Sequence, residues 1–139
     1  MPSVFSKIIS GDLPGHFVWK DELSVAFLSI NPIASGHTLV IPKLEVDHWL
    51  DLPPEINAHL VQLAQIIGNA QMVAFNPLRV GMIIAGLEVP HTHLHVIPME
   101  GMQDLDFSRA TITADQSELS SNALLLRNTL ESNGHSTGL

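Results

Sequence analysis

Residues 91–98 read His-Thr-His-Leu-His-Val-Ile-Pro, and this stretch decides how the rest of the sequence is interpreted. Successive side chains of a β-strand point to opposite faces, so His91, His93 and His95 are predicted to share one face, with Cα atoms roughly 6.6 Å apart. A row of imidazoles is costly to bury unless each ring is hydrogen-bonded, so the alternation favours a chemical site over chance burial. Two chemistries fit this pattern. Imidazole is a common zinc ligand, and it is also a nucleophile, acid or base when its neighbours fix its tautomer.

Outward from this stretch, β-type runs alternate with helical stripes. The β-type runs are residues 17–19, 24–30, 36–42, 79–85 and 92–99. Apolar spacing predicts a short helix at 4–10, a long helix from Pro53-Pro54 to Phe75, and a third helix carrying Leu119, Ala123, Leu126 and Leu130. We therefore predict an α+β fold: an antiparallel five-stranded meander sheet with one long helix between strands 3 and 4 and helices at both ends. No glycine-rich phosphate motif follows a predicted strand, which excludes a Rossmann or P-loop fold.

The composition limits the number of domains and the kinds of partner that the protein can bind. Hydrophobic residues make up 45% of the 139 positions, so we expect a single domain at residues 1–131 and a flexible C-terminal tail at 132–139. Six Lys and Arg against fourteen Asp and Glu give a net charge of −8, which disfavours binding to nucleic acid or to a membrane surface. The absence of cysteine excludes disulfides and thiolate metal sites. The sequence contains no signal-peptide core or membrane span, so a cytoplasmic location is expected.

The histidine stretch also resembles a known family signature. Residues 91–97 are similar to the pattern His-φ-His-φ-His-φ-φ of the histidine-triad (HIT) family, in which φ is apolar and Thr92 is the one loose fit. Two upstream blocks, VFSKIISGDLPG at 4–15 and VAFLSINPIASGHTLVIPK at 25–43, resemble the N-terminal half of that family. The likeness covers roughly residues 4–99 and implies the HIT-like fold.

The resemblance implies a nucleotide hydrolase or transferase that cleaves a bond to an α-phosphate, as in a phosphoramidate, a dinucleoside polyphosphate or a nucleotidyl sugar. By its place in the motif, His93 would be the nucleophile and form a nucleotidyl-histidine intermediate. His91 and His95 would orient it and contact the phosphate, and His37 would complete the cluster. A neutral imidazole, with an ordinary pKa of about 6.5, can attack without a separate base. No cofactor and no metal are expected.

The resemblance further implies a nucleotide site beside the histidines. Its expected residues are Phe5, Ile8, Phe27 and Ile30 in an apolar slot for the base, together with Ser29, Asn31 and Glu88. Plain core packing is the alternative for each apolar residue, and Glu88 is either an acid or a solvated carboxylate. Ser29 stands where many members carry the acid that binds the ribose hydroxyls, and the loop at 85–90 lacks the Asn and Gln that position the leaving group. The cysteines of zinc-binding members are also absent, with Ser6 at one of their positions.

These departures leave two alternatives open: a non-catalytic nucleotide-binding or scaffold protein of the same fold, and a metal-dependent hydrolase that uses the three histidines. Charged residues are only 14% of the sequence, which favours a buried subunit interface. Because the family usually pairs subunits through the long helix and an edge strand, we expect a homodimer, with His59 as a candidate interface residue. Trp19 and Trp49 are expected to pack in the core or at that interface rather than to stack on a base.

Overall fold

The computed structural model describes residues 1–112 and 114–139. Its helices are α1 (Val4–Ser10), α2 (Pro54–Phe75) and α3 (Gln116–Ser132), and its strands are β1 (Phe17–Lys20), β2 (Ser24–Leu28), β3 (Thr38–Pro42), β4 (Arg79–Ile83) and β5 (Leu94–Met99). Short 3₁₀ turns span Trp49–Asp51, Met102–Leu105 and Phe107–Arg109. The predicted α+β class is confirmed, with helices at both ends and the long helix between the third and fourth strands. Within the described residues, no helix has the length and apolar character needed to cross a membrane.

The five strands form one antiparallel sheet in the order β1-β2-β3-β5-β4. The first three strands follow the predicted meander, whereas β4 lies at the edge and β5 pairs with β3. After β3 the chain forms α2, which packs across the sheet, and then β4 at the sheet edge. The last strand, β5, therefore lies between β3 and β4. The strand that carries His95 therefore has a neighbour on each side, and His37, just before β3, lies next to it.

One side of the sheet, which we call the helical face, is covered by α2 and α3. Strand residues Val18, Ala26, Leu28, Val40, Leu94 and Val96 share a core there with Leu60, Leu63, Ile67, Leu126 and Leu130 of the two helices. The apolar stripe predicted along α2 supplies its side of this contact. Apolar burial of this kind is the main favourable contribution to folding.

The opposite side, which we call the histidine face, carries a smaller cluster beneath α1. The cluster contains Phe5, Val25, Phe27, Leu39 and Ile41. Helix α1 begins where the hydroxyl of Ser3 accepts the N–H of Ser6, and it ends at Gly11, whose φ of 89° favours glycine. Because both sides of the sheet are covered at β2 and β3, every residue of these two strands is buried.

Gln71 links the two central strands from the helical face. Its side-chain N–H groups donate to the carbonyl oxygens of Gly36 and Val96, each at 2.9 Å, and the residue is fully buried. The bond to Gly36 fixes the backbone directly before His37, and the bond to Val96 fixes the backbone directly after His95. Gln71 therefore holds these two histidines in register from the side opposite to their rings.

The C-terminal residues lie against the outer edge of β1. The N–H of Lys20 donates to the carbonyl oxygen of Thr137 at 2.8 Å, and Thr137 is buried. The ring of His135 contacts the ring of Trp19 edge to face, with centroids 6.0 Å apart. Residues 135–137 are therefore packed on the domain, in contrast to the free tail that the sequence predicts for 132–139.

Candidate active site

The three triad histidines lie together on the histidine face. The rings of His93 and His95 adjoin, with centroids 4.9 Å apart. The ring centroid of Phe5 lies 5.9 Å from that of His91 and 4.9 Å from that of His93. Leu94 is instead buried in the core of the helical face. The predicted alternation is therefore present, and it places the imidazoles beside α1.

The strand that was predicted to carry all three histidines is shorter in the structure. It begins at Leu94 rather than at Thr92. The N–H and the hydroxyl of Thr92 both donate to the carbonyl oxygen of Val46, at 2.7 and 2.8 Å. Thr92 is thus anchored to the loop after β3 and not to a neighbouring strand, so His91 and His93 precede the regular ladder.

His91 has both ring nitrogens bonded to protein atoms. Its Nε2 lies 2.8 Å from the carbonyl oxygen of Pro42, which can only accept, so Nε2 carries the proton. Its Nδ1 lies 2.6 Å from the hydroxyl of Ser3, which must then donate. The ring is fully buried and is not part of the wall of the adjacent cavity. His91 therefore holds the other residues of the site in place, and its predicted contact with a phosphate stays a prediction.

His93 keeps one ring nitrogen for a ligand. Its Nδ1 donates to the backbone carbonyl of His91 at 2.8 Å, so the lone pair of the neutral ring is on Nε2. Burial lowers the pKa of His93, while its hydrogen bond to His91 and the charge of Glu88 act in the opposite direction. At neutral pH the ring is uncharged, which is the form of imidazole that attacks phosphorus.

His37 and His95 form a second hydrogen-bonded pair. The N–H of Ile33 donates to Nδ1 of His37 at 3.0 Å, so the proton of neutral His37 is on Nε2. That Nε2 donates to Nδ1 of His95 at 2.9 Å. The proton of neutral His95 is therefore on Nε2, which makes His95 a hydrogen-bond donor at the cavity wall.

Burial keeps these rings uncharged. Burial, together with repulsion from His95 and His93, lowers the pKa of His37 to about 3. Burial and repulsion from His93 lower the pKa of His95 to about 4. At neutral pH the site therefore offers one lone pair and neutral N–H donors. A bound phosphate raises these pKa values again, because an adjacent anion favours the charged form of imidazole.

A cavity of about 730 Å³ opens beside the histidines, between α1, the sheet and the residues after β5. Its walls include the substrate-binding candidates Phe5, Ile8, Phe27, Ser29, Ile30, Asn31 and Glu88, together with His37, His93 and His95. Phe5 and Phe27 also belong to the cluster under α1, so they are core and cavity wall at once. The cavity volume lies in the range of sites that accept small-molecule ligands.

Ser29 and Asn31 use part of their hydrogen-bonding capacity within the protein. The hydroxyl oxygen of Ser29 accepts the N–H of Asn31 at 3.2 Å. The side-chain N–H groups of Asn31 donate to the carbonyl oxygens of Thr111 and Ile112, at 3.0 and 2.7 Å. Asn31 therefore lines the cavity but directs its donors at the chain that closes the cavity, a role that the sequence did not indicate.

The far wall of the cavity is formed by a segment that sequence reasoning missed, through its residues Phe107, Ser108, Ala110, Thr111 and Ile112. The ring of Phe107 contacts the ring of His95 edge to face, with centroids 4.8 Å apart. The N–H of Thr111 donates to the carbonyl oxygen of Pro32 at 3.0 Å. No helical or strand period marks this segment, and its partners lie far away in sequence, so only the fold brings it to the site.

The triad does not form the three-histidine metal site that the sequence left open. His91 uses both ring nitrogens on Ser3 and Pro42, so the three rings do not converge on one point. Across residues 1–112 and 114–139, no group of three His, Asp or Glu side chains is placed to hold a metal ion. The histidines bond to one another and to the backbone instead.

The remaining candidates lie outside the main cavity. Nε2 of His59 is 2.9 Å from a carboxylate oxygen of Asp21, and the indole N–H of Trp19 donates to the same oxygen at 2.8 Å. This carboxylate ties α2 to the β1–β2 turn, and Trp19 packs against the core of the helical face. Trp49 is partly exposed on a 3₁₀ turn, where it lines a separate small cavity with His93.

Fold and site together define an α+β domain with a cavity beside a hydrogen-bonded cluster of histidines. The chain belongs to the HIT family, because residues 10–102 match the HIT domain. This match contains the end of the first upstream block at 4–15, the whole second block at 25–43 and the whole triad.

Three similar proteins illustrate the relationship. The chain is 38% identical over 113 residues to an uncharacterized HIT-like protein of Borreliella burgdorferi, a match that covers 76% of this chain and 81% of the relative. It is 35% identical over 96 residues to adenosine 5'-monophosphoramidase HNT1 of Saccharomyces cerevisiae, covering 68% of this chain and 61% of the relative. The crystal structure of a zinc-bound histidine triad family protein from Mycobacterium smegmatis matches with a TM-score of 0.81 at 31% identity, over 94% of each chain.

Proposed function

We propose that this protein is a nucleotide hydrolase or transferase that cleaves a bond at the α-phosphate of a nucleotide conjugate through a nucleotidyl-histidine intermediate. The observation that carries the proposal is the pair of tautomers at the cavity: Nε2 of His93 has a lone pair, and Nε2 of the adjoining His95 has a proton. A nucleophile beside a neutral donor suits attack on a phosphoryl group. The phosphoramidase activity in the name of the yeast relative supports the same reaction class.

The reaction has two steps. First, Nε2 of His93 attacks the α-phosphorus and the bond from phosphorus to the leaving group breaks. A bound phosphate raises the pKa of His95 and favours its charged form, so the leaving group departs with that electron pair and takes a proton from Nε2 of charged His95. Second, a water oxygen attacks the phosphorus, the phosphorus–nitrogen bond breaks, and its electron pair returns to His93. The neutral His95 accepts the proton that the water loses, so both histidines return to the protonation states that they have in the substrate complex.

The nucleoside half of the substrate is assigned to the apolar part of the cavity. Phe5, Ile8 and Phe27 present aromatic and aliphatic surface to a planar base. Ser29 lies at the ribose position implied by the family resemblance and offers one neutral hydroxyl in place of a carboxylate. The ribose is therefore held more weakly here than by an acidic residue.

The charge of the site favours a phosphoramidate over a dinucleoside polyphosphate. None of the described residues that line the cavity is a lysine or an arginine, and Glu88 adds a negative charge near His93. A polyphosphate leaving group would bring further negative charge into this neutral-to-acidic site without a cationic partner. An amine leaving group brings none, and its protonated product is attracted to Glu88.

Hydrolysis of adenosine 5'-phosphoramidate labelled with ³²P tests the proposal. The parent protein should release AMP and, after acid-free quenching, carry label on the protein. His93→Ala should do neither, while His135→Ala, a matched change at a ring that contacts Trp19, should behave like the parent. AMP binding without labelled protein or turnover in the parent would favour the non-catalytic nucleotide-binding alternative.

A homodimer through α2 and β4 is the proposed assembly. Strand β4 pairs only with β5, so its other edge is open within the described part of the chain. Exposed apolar side chains next to that edge include Val61, Met72, Leu78 and Met82, which line a groove between α2 and β4. Sedimentation of a 15.1 kDa species at micromolar concentration would contradict the dimer. The cytoplasmic location stays a prediction from the sequence.

A further inference from the structure

A hydrogen-bonded cluster lies beneath the triad, where α1 begins. Nδ1 of His91 is 2.6 Å from the hydroxyl of Ser3, and that hydroxyl also accepts the N–H of Ser6 at 3.0 Å. One carboxylate oxygen of Glu45 accepts the N–H of Ser3 at 2.6 Å and the hydroxyl of Ser6 at 2.7 Å. Glu45 follows β3, so the cluster joins α1, the sheet and the triad at one point.

The bonds of this cluster leave His91 a single neutral tautomer. The carbonyl of Pro42 needs the proton of His91 on Nε2, so Nδ1 must accept, and the donor is the hydroxyl of Ser3. The backbone carbonyl of His91 in turn accepts Nδ1–H of His93. The position of the nucleophile therefore depends on a chain of contacts that runs from Glu45 through Ser3 and His91 to His93.

We infer that Ser3, held in place by Glu45, is a positioning residue for the nucleophile: its hydroxyl donates to His91 and thereby fixes the orientation of His91 and the position of the backbone carbonyl that holds His93. The catalytic consequence rests on the function proposed above. Neither Ser3 nor Glu45 lines the cavity, so neither touches the substrate.

This role differs from ordinary helix capping. As the cap of α1, Ser3 needs only an oxygen that accepts the N–H of Ser6. As a positioning residue it also needs a proton to donate to His91. Aspartate at position 3 retains the acceptor and lacks the donor, whereas threonine retains both. The two roles therefore predict different outcomes for Ser3→Asp.

The test compares the parent with Ser3→Ala, Ser3→Asp and Ser3→Thr. Ser10→Ala is the matched control, because it removes a hydroxyl at the other end of α1 that bonds only to the carbonyl of Lys7. For each protein we would measure kcat and KM for adenosine 5'-phosphoramidate, the thermal midpoint, and the ¹⁵N signals of the imidazole rings without ligand. Misplacement of reacting groups lowers rates by about a hundredfold per ångström.

We expect kcat to fall about tenfold to a hundredfold in Ser3→Ala and Ser3→Asp, with KM unchanged, and to recover in Ser3→Thr. Ser10→Ala should match the parent. In the ¹⁵N spectra His91 of the parent should be protonated on Nε2 and His93 on Nδ1; in Ser3→Ala the signal of His91 Nδ1, which loses its donor, and the ring signals of His93 should shift. Glu45→Ala changes an exposed residue and should also lower kcat. This variant replaces the Ser3 variants in the test if they do not fold.

Three results would overturn the inference. If the parent is active and the kcat of Ser3→Ala equals that of Ser10→Ala, the hydroxyl of Ser3 is not needed. If the kcat of Ser3→Asp equals that of the parent, only the capping role of Ser3 matters. Unchanged ring signals of His91 and His93 in Ser3→Ala refute the positioning role whatever the activity. A parent without turnover refutes the proposed function instead, and the ring signals still decide whether Ser3 orders the triad.

Discussion

The two faces of the sheet are built by different means. On the helical face, apolar side chains from four strands and two helices fill one core, and any one of them acts mainly through its volume. On the histidine face, a few apolar residues share the space with rings whose places depend on individual hydrogen bonds. A core of the first kind tolerates exchange of similar side chains, whereas a network of the second kind fails when one donor is lost. Stability and chemistry are therefore assigned to opposite sides of the same strands.

The largest effect should come from His93→Ala on the histidine face. This change removes the lone pair that forms the covalent bond, so the rate of AMP release should fall by roughly a thousandfold or more. The thermal midpoint should stay close to that of the parent, because His93 lies at a cavity wall and not in the main core. Steady-state assays and a melting curve on the same sample check both statements. Turnover within about tenfold of the parent would assign the nucleophile elsewhere.

Ile67→Ala on the helical face should show the reverse pattern. Ile67 is fully buried between α2 and the sheet, so its truncation should lower the free energy of unfolding by about 2–5 kcal/mol. The kcat of the protein that stays folded should be unchanged, since Ile67 itself does not line the cavity. Urea unfolding followed in parallel with activity measures the two quantities. A drop in kcat of the folded fraction would show that the two faces are coupled.

Acid should weaken the histidine face specifically. Folding lowers the pKa of His37 to about 3 and that of His95 to about 4, whereas both rings titrate at about 6.5 in the unfolded chain. The unfolded state therefore binds more protons, and stability should decline as the pH falls from about 6.5 towards 4. His95→Gln should flatten this decline in a pH series of urea midpoints. An equal slope in parent and variant would place the titrating groups elsewhere.

Ser29→Asp should give the smallest effect, a change in nucleotide affinity that tests where the cavity holds the ribose. A carboxylate accepts charge-assisted hydrogen bonds from two ribose hydroxyls, while the serine hydroxyl makes one neutral bond, a difference on the order of 1–2 kcal/mol. AMP should therefore bind several-fold to about thirtyfold more tightly to the variant, with a smaller gain for dAMP. Calorimetric titration of both nucleotides into both proteins checks this. A strong ribose preference in the parent that Ser29→Asp leaves unchanged would mean that the ribose is held elsewhere.

The sequence predicted the helical face well because periodicity records burial. The stripe through Leu60, Leu63 and Ile67 has helical spacing, and all three residues are in the core. The alternation of the triad likewise predicted that its rings share a face. Periodicity carries no information on which strands become neighbours, so the central place of β5 was not part of the predicted meander.

The hydrogen-bond partners of the site were outside the reach of the sequence. His91 has the same residue type and spacing as His95, yet it bonds to Ser3, 88 positions away, and does not line the cavity beside the triad. Asn31 bonds to Ile112 across 81 positions. Such pairs form only after the chain has folded, and no local pattern marks either partner. Motif position therefore predicted which residues meet, and only the structure shows what each ring nitrogen does.

The contact of Thr137 with Lys20 limits how copies of this chain can join. An open sheet has two edges, and two free edges allow molecules to add one after another without end. Here the C-terminal residues cover the β1 edge at Lys20, which leaves the β4 edge for a second sheet. When two copies pair through the same edge, each copy uses its one free edge, and the assembly ends as a two-fold symmetric dimer. The same few residues that complete the domain therefore favour a finite assembly over a filament.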